Sequence, residues 1–126
     1  MDDQYSSYVA VDDVHVKCKL TLGENVADLG GEILAFMAWE SKTKNMNLQP
    51  VDELTPEQRF FVGFAQWDCA NERPDDLRVR AATDPHSPAK YRINGVVVNM
   101  PEFAKAFGCK AGQPMVRPAA QVCKIW

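Results

Sequence analysis

Apolar residues recur at spacings of three and four along Val26, Leu29, Ile33, Phe36 and Met37, a stripe that predicts a core-facing helix over 23–40. Thr21, three residues before Glu24, predicts its cap in a capping-box pattern. Upstream, Val9, Val11, Val14 and Val16 alternate only weakly, so 1–20 reads as an irregular or partly extended approach segment. A polar connector over 41–53 leads to a second helix with a sharply marked start: Thr55 at the cap, Pro56 at the first position and Gln58 at the third. Phe60, Phe61, Phe64 and Trp67 follow and read as core.

Pro74 opens a third helix that stops near Thr83. Asp75 and Asp76 in its first turn and Arg78 and Arg80 near its end complement the helix dipole. Pro85 and Pro88 then enforce a loop. Ser87 before Pro88 predicts the cap of a short helix, Asn94 and Gly95 predict a turn, and 101–107 make a last short helix closed by Gly108. The elements add up to an all-α fold, with loops and the N-terminal approach segment as its irregular parts.

At 126 residues, 46% hydrophobic and 25% charged, the chain is long enough to bury its own core and is expected to form one domain, 1–126. Seventeen acidic residues against fourteen basic ones, with no Lys/Arg block, leave no docking stripe for a phosphate backbone, so nucleic acid is not expected as a partner. No apolar run reaches the roughly 18 residues that span a bilayer, and the polar start Met1-Asp2-Asp3-Gln4 is not a secretory signal. Any export signal is expected upstream.

Candidate chemistry gathers on the first helix and on the proline-rich loop. Glu24 and Asp28 stand at i and i+4, one turn apart on one face, beside the bare flank of Gly30-Gly31. Glu24 has the chemistry of a metal ligand, with Asp28 behind it to orient a second-shell histidine; alone, the pair reads as solvated helix charge. His86 sits between Pro85 and Pro88 with Asp84 two residues before it, on backbone with little freedom. A zinc site from His15, Cys18 and Glu24 has the right residue types but no compact metal-motif spacing. Cys18, Cys69, Cys109 and Cys123 contain no C-x-x-C unit and allow three pairings into two disulfides.

Several segments match one family in order: G-E-N-V-A-D-L-G over 23–30, T-P-E-Q-R-F-F over 55–61, T-D-P-H-S-P-A-K-Y-R-I-N-G over 83–95, N-M-P-E-F-A-K-A-F-G-C over 99–109 and the terminal C-K-I-W. The chain resembles the C-terminal part of the neprilysin and endothelin-converting-enzyme family of zinc endopeptidases, most closely its bacterial oligopeptidase branch. The likeness runs from about Tyr8 to Trp126 and is poor only over 41–53. It implies the helical C-terminal part of a thermolysin-like catalytic domain.

The resemblance also implies roles. Glu24 matches the third zinc ligand, and Asp28 the carboxylate that supports a zinc-bound histidine. His86 matches the histidine that stabilises the tetrahedral intermediate, Asp84 the acid that orients it, and Arg92 the arginine that binds a substrate backbone carbonyl. Family members carry an H-E-x-x-H helix whose histidines bind zinc and whose glutamate activates water. This sequence has two histidines, His15 and His86, and no such motif. The chain is therefore expected to be a fragment starting at an added or internal methionine, with the motif upstream. Zinc is expected in the parent enzyme, a stable catalytic zinc is not expected in this chain alone, and the isolated chain is expected to be inactive.

Peptides are the expected substrates of the parent. In animal members, cysteines matching Cys69, Cys109 and Cys123 pair with cysteines upstream, so free thiols are expected here. The resemblance leaves the parent's compartment open among periplasm, cell envelope, secretion and the cell interior. Left without its covering helix, the 23–40 helix is expected to associate as a homodimer that buries Val26, Leu29 or Ile33. The competing reading from another class is a non-catalytic helical interaction module retaining relic peptidase residues.

Overall fold

The computed structural model describes residues 1–125; Trp126, the last residue of the C-K-I-W terminus, lies outside them. A long helix, α2 (Cys18–Thr43), packs against α1 (Asp2–Ser6) and α5 (Ala89–Val97), while α3 (Pro56–Trp67) packs against α5 and α6 (Pro101–Ala106). Strands β1 (Val9–Val11) and β2 (Val14–His15) pair antiparallel and lie against α4 (Pro74–Thr83). Among the described residues this ribbon is the only sheet, and no helix is long and apolar enough to cross a membrane.

The first helix is longer than its apolar stripe predicts, starting at Cys18 and ending at Thr43. Thr21 is therefore not its cap. It lies inside the helix, buried, where its Oγ1 accepts a hydrogen bond from Asn25 Nδ2 at 2.9 Å. The early start follows from packing, because Val16 and Cys18 bury against Tyr5 and hold the first turn in place without any side-chain cap. The approach segment is also more ordered than its weak alternation predicts. Part of it is extended, as β1 and β2, with Asp12 at φ 49° between them, and part is the helix α1, anchored by the wholly buried Tyr5.

Local signals were more exact downstream. Thr55 and Gln58 form the reciprocal capping box, at 3.2 Å and 2.9 Å, and Gly108 closes the last helix region at φ +62°. The Asn94-Gly95 turn does not occur, since both residues lie within α5. Gly95 is there for close approach instead: a Cβ at this position would stand 2.8 Å from Tyr5 Oη and 2.9 Å from its Cζ. Ser87 does not cap α5 either. It points inward, fully buried, and donates to Asn25 Oδ1 at 2.7 Å.

The main core joins Leu29 and Phe36 of α2 to Phe61 of α3, Val96 and Val97 of α5, and Met100. Phe36 and Phe61 stack at 5.3 Å, with Phe60 and Phe103 packed edge-on around them. Trp67, expected in this core, is 58% exposed. A second, polar assembly ties the two ends of the chain to α5. Gln4 Nε2 donates to the Gly95 carbonyl at 2.8 Å, Asn99 Nδ2 donates to Gln4 Oε1 at 3.0 Å, and the Cys123 N–H donates to Asn99 Oδ1 at 2.9 Å.

Candidate active site

Helix α2 and the loop over 84–88 converge at one point. Glu24 stands one turn and a half into α2 and is partly exposed; its Oε2 lies 3.4 Å from His86 Nε2. Asn25, the next residue along α2, holds the loop to the helix through its bond with Ser87, the residue after His86. Two adjacent pairs, one polar and buried and one facing solvent, thus fix the loop against α2.

On its other side the imidazole meets Asp84, whose Oδ1 lies 2.8 Å from His86 Nδ1 and accepts the His86 backbone N–H at 2.9 Å. A carboxylate can only accept, so Nδ1 carries the proton and Nε2 is the nitrogen left facing Glu24. The bond from the His86 backbone N–H, followed by the Arg80 side chain at 2.8 Å, holds the Asp84 carboxyl at about 2, below the ordinary carboxylate value.

One turn after Glu24, Asp28 is engaged by Arg92 of α5 through both oxygens, Nε to Oδ2 at 2.8 Å and Nη2 to Oδ1 at 2.6 Å. This two-pronged bond raises the arginine's affinity for its proton. The exposed Trp67 has its place here, with the Arg92 guanidinium 4.6 Å from its ring centroid. Five expected site residues therefore form two adjacent groups, Glu24 with Asp84 and His86, and Asp28 with Arg92. Sequence reasoning missed Asn25, Ser87 and Trp67, which position them. Asn25 lies inside the G-E-N-V-A-D segment and Ser87 inside D-P-H-S-P, but nothing in either spacing says that the two meet.

Glu24 fits a metal ligand in its chemistry and placement, with its carboxylate at the surface and open space beside α2. A Cβ added at Gly23 or Gly31 would meet nothing within 4 Å. Among the described residues no group of three or more potential ligands assembles, and exposed His15 and buried Cys18 do not join Glu24 in one. All four cysteines are free. The roomier clefts lie elsewhere, about 690 Å³ beside Met37 and Met46 and about 740 Å³ between Met100 and Val122. The first is lined in part by Glu40, Lys44 and Glu57 and the second by Arg117, but neither includes Glu24 or His86, whose side chains are 42% and 38% exposed.

The same fold occurs in a zinc metalloprotease. The structure of Mycobacterium tuberculosis zinc metalloprotease Zmp1 in its open state superposes with a TM-score of 0.92 at 34% identity, over 99% of this chain and 20% of that one. The chain belongs to peptidase family M13, whose family model matches residues 1–123. It is 44% identical to Neprilysin-1 of Caenorhabditis elegans over 119 aligned positions, 90% of this chain, and 39% identical to endothelin-converting enzyme 1 of Homo sapiens over 129 aligned positions, 100% of this chain. It spans 16% of the length of each of these two relatives.

Proposed function

We propose that this chain is the C-terminal part of a zinc metalloendopeptidase that hydrolyses peptide bonds in oligopeptides, and that it supplies one metal ligand and the groups that stabilise the transition state. The observation that carries the reading is the convergence of Glu24 Oε2 and His86 Nε2 to 3.4 Å, with Asp84 bonded to the far side of the ring, in a chain of this family. Glu24 is the residue that would hold zinc, together with ligands from outside the chain. When bound, zinc supplies Lewis acidity toward a carbonyl and a more acidic water.

The chain's own side chains do the rest. With Nδ1–H committed to Asp84, the His86 imidazolium donates from Nε2 to the oxyanion of the tetrahedral intermediate, and the Asp84 carboxylate balances its charge. Asp28 supports a metal-bound histidine of the parent through lone pairs that Arg92 leaves free. Arg92 has N–H groups beyond the two that Asp28 uses, and these hold a substrate backbone carbonyl. The chain by itself is inert because one carboxylate does not retain the metal.

The test is made in the zinc-loaded parent. Glu24→Ala abolishes zinc retention and activity together. His86→Ala lowers kcat by about 10²–10³ while zinc stays bound. Equal zinc loss in both variants makes His86 a ligand and overturns the assignment. Chelator-sensitive peptide cleavage by the homogeneous 126-residue chain overturns the claim that it is inert.

A further inference from the structure

Glu72 and Arg80 have no part in the roles above, yet they close a ring around the loop that carries His86. Asp84 begins this loop as the C-cap of α4, and Ala89 ends it as the first residue of α5. Arg80 Nε donates to Asp84 Oδ2 at 2.8 Å, which leaves Oδ1 to His86 alone. Arg80 Nη1 pairs with Glu72 Oε1, and Glu72 Oε2 accepts the Ala89 backbone N–H at 3.3 Å. One guanidinium and one carboxylate thus bridge the two ends of the loop. Because each Asp84 oxygen has its own partner, the carboxylate plane is set, and that plane sets the tilt of the imidazole.

We propose that Arg80 and Glu72 are positioning residues for His86, holding its loop at both ends and fixing Asp84 so that Nε2 is aimed at Glu24. The consequence for turnover rests on the peptidase reading; the consequence for the ring does not. The alternative is an ordinary surface ion pair. Arg80 is 44% exposed in its side chain, but its partners Glu72 and Asp84 are 15% and 23% exposed, so removing the guanidinium carries a stability cost that has to be measured beside the rate. Aim is more sensitive than stability, because a displacement of about 1 Å in a reacting group costs up to about 10²-fold in rate.

Two measurements test this. In the zinc-loaded parent, assayed well below its Tm, Arg80→Met lowers kcat about 10-fold or more, with KM and zinc content unchanged. Arg80→Lys restores part of kcat, because an ammonium keeps the charge but not the planar fork that reaches Asp84 and Glu72 together. Glu72→Gln, which keeps an acceptor for Ala89, gives a smaller drop. In ¹⁵N-histidine spectra of the 126-residue chain, the His86 Nδ1 resonance reports its bond to Asp84, and Arg80→Met shifts that resonance while His15 serves as the unchanged reference. An unaltered Nδ1 resonance overturns the proposal, as does unchanged kcat in an active parent or a fall in Tm that accounts for the loss. If the unsubstituted parent shows no turnover, the peptidase reading fails, and the ring is judged on the Nδ1 resonance alone.

Discussion

The two faces of α2 obey different rules. Its inner face buries Asn25, Leu29 and Phe36 against α3, α5 and the His86 loop, and every polar group of Asn25 is matched. Its outer face shows Leu22, Val26, Leu34 and Met37, from 37% to 55% exposed, beside glycines with open space around them. Leu29, expected as a dimer contact, belongs to the inner face and is fully buried in its own chain, and Ile33 packs partly against the same core. The apolar stripe of α2 is therefore two stripes. One is satisfied within the chain, and the other is left exposed.

The sharpest way to separate the faces is to truncate a leucine on each. Leu29→Ala removes a fully buried side chain and lowers unfolding free energy by about 2–5 kcal/mol, whereas Leu34→Ala stays within about 0.5 kcal/mol; urea denaturation of both variants measures it. Equal effects would mean that the outer face is covered in solution.

Glu32 sharpens the contrast from the inside. It is 6% exposed, its Oε1 has no hydrogen-bond partner, and burial pushes its carboxyl up to about 7. The folded chain holds this proton more tightly than the unfolded one, so Glu32 favours folding below its unfolded value of 4.5, and that contribution is lost as pH rises through about 7. Glu32→Leu is expected to raise stability at pH 8 by about 1–3 kcal/mol and to flatten the change between pH 4.5 and 7. Thermal melts over that range decide it.

Glycine substitutions give a smaller pair of opposite sign. Gly95→Ala drives a methyl into Tyr5 and costs about 1–3 kcal/mol, while Gly31→Ala on the outer face gains roughly 0.5–1 kcal/mol of helix propensity. In a parent where another backbone lies on that face, Gly31→Ala should destabilise instead. The mildest effect is association. The isolated chain is expected to dimerise with rising concentration under reducing conditions, and Leu34→Lys to suppress it, as sedimentation would show.

Local chemistry was readable where one or two neighbours decide the outcome. Thr55, Pro56 and Gln58 cap α3 within a single turn, and the charges of α4 match its dipole. Tertiary contacts decided the rest. Gly95 looks like a turn residue beside Asn94, but Tyr5, 90 positions earlier, requires a glycine inside a helix. Thr21 looks like a cap until Val16 and Cys18 are seen to bury the turn before it. At the site, Glu24, Asp28, Asp84, His86 and Arg92 were nameable from motif order. Their grouping was not, because the pairing of Asp28 with Arg92 joins residues 64 positions apart.

The grip of Asp28 on Arg92 has a consequence for anything that approaches the arginine. A guanidinium carries five N–H donors. Nε and one N–H of Nη2 point at Asp28, and the guanidinium carbon lies over the Trp67 ring, 4.6 Å from its centroid. Three donors remain, all in a plane that is already set. Any acceptor that met these donors would find the side chain already ordered by Asp28, so less of the contact's free energy would be lost to fixing the arginine.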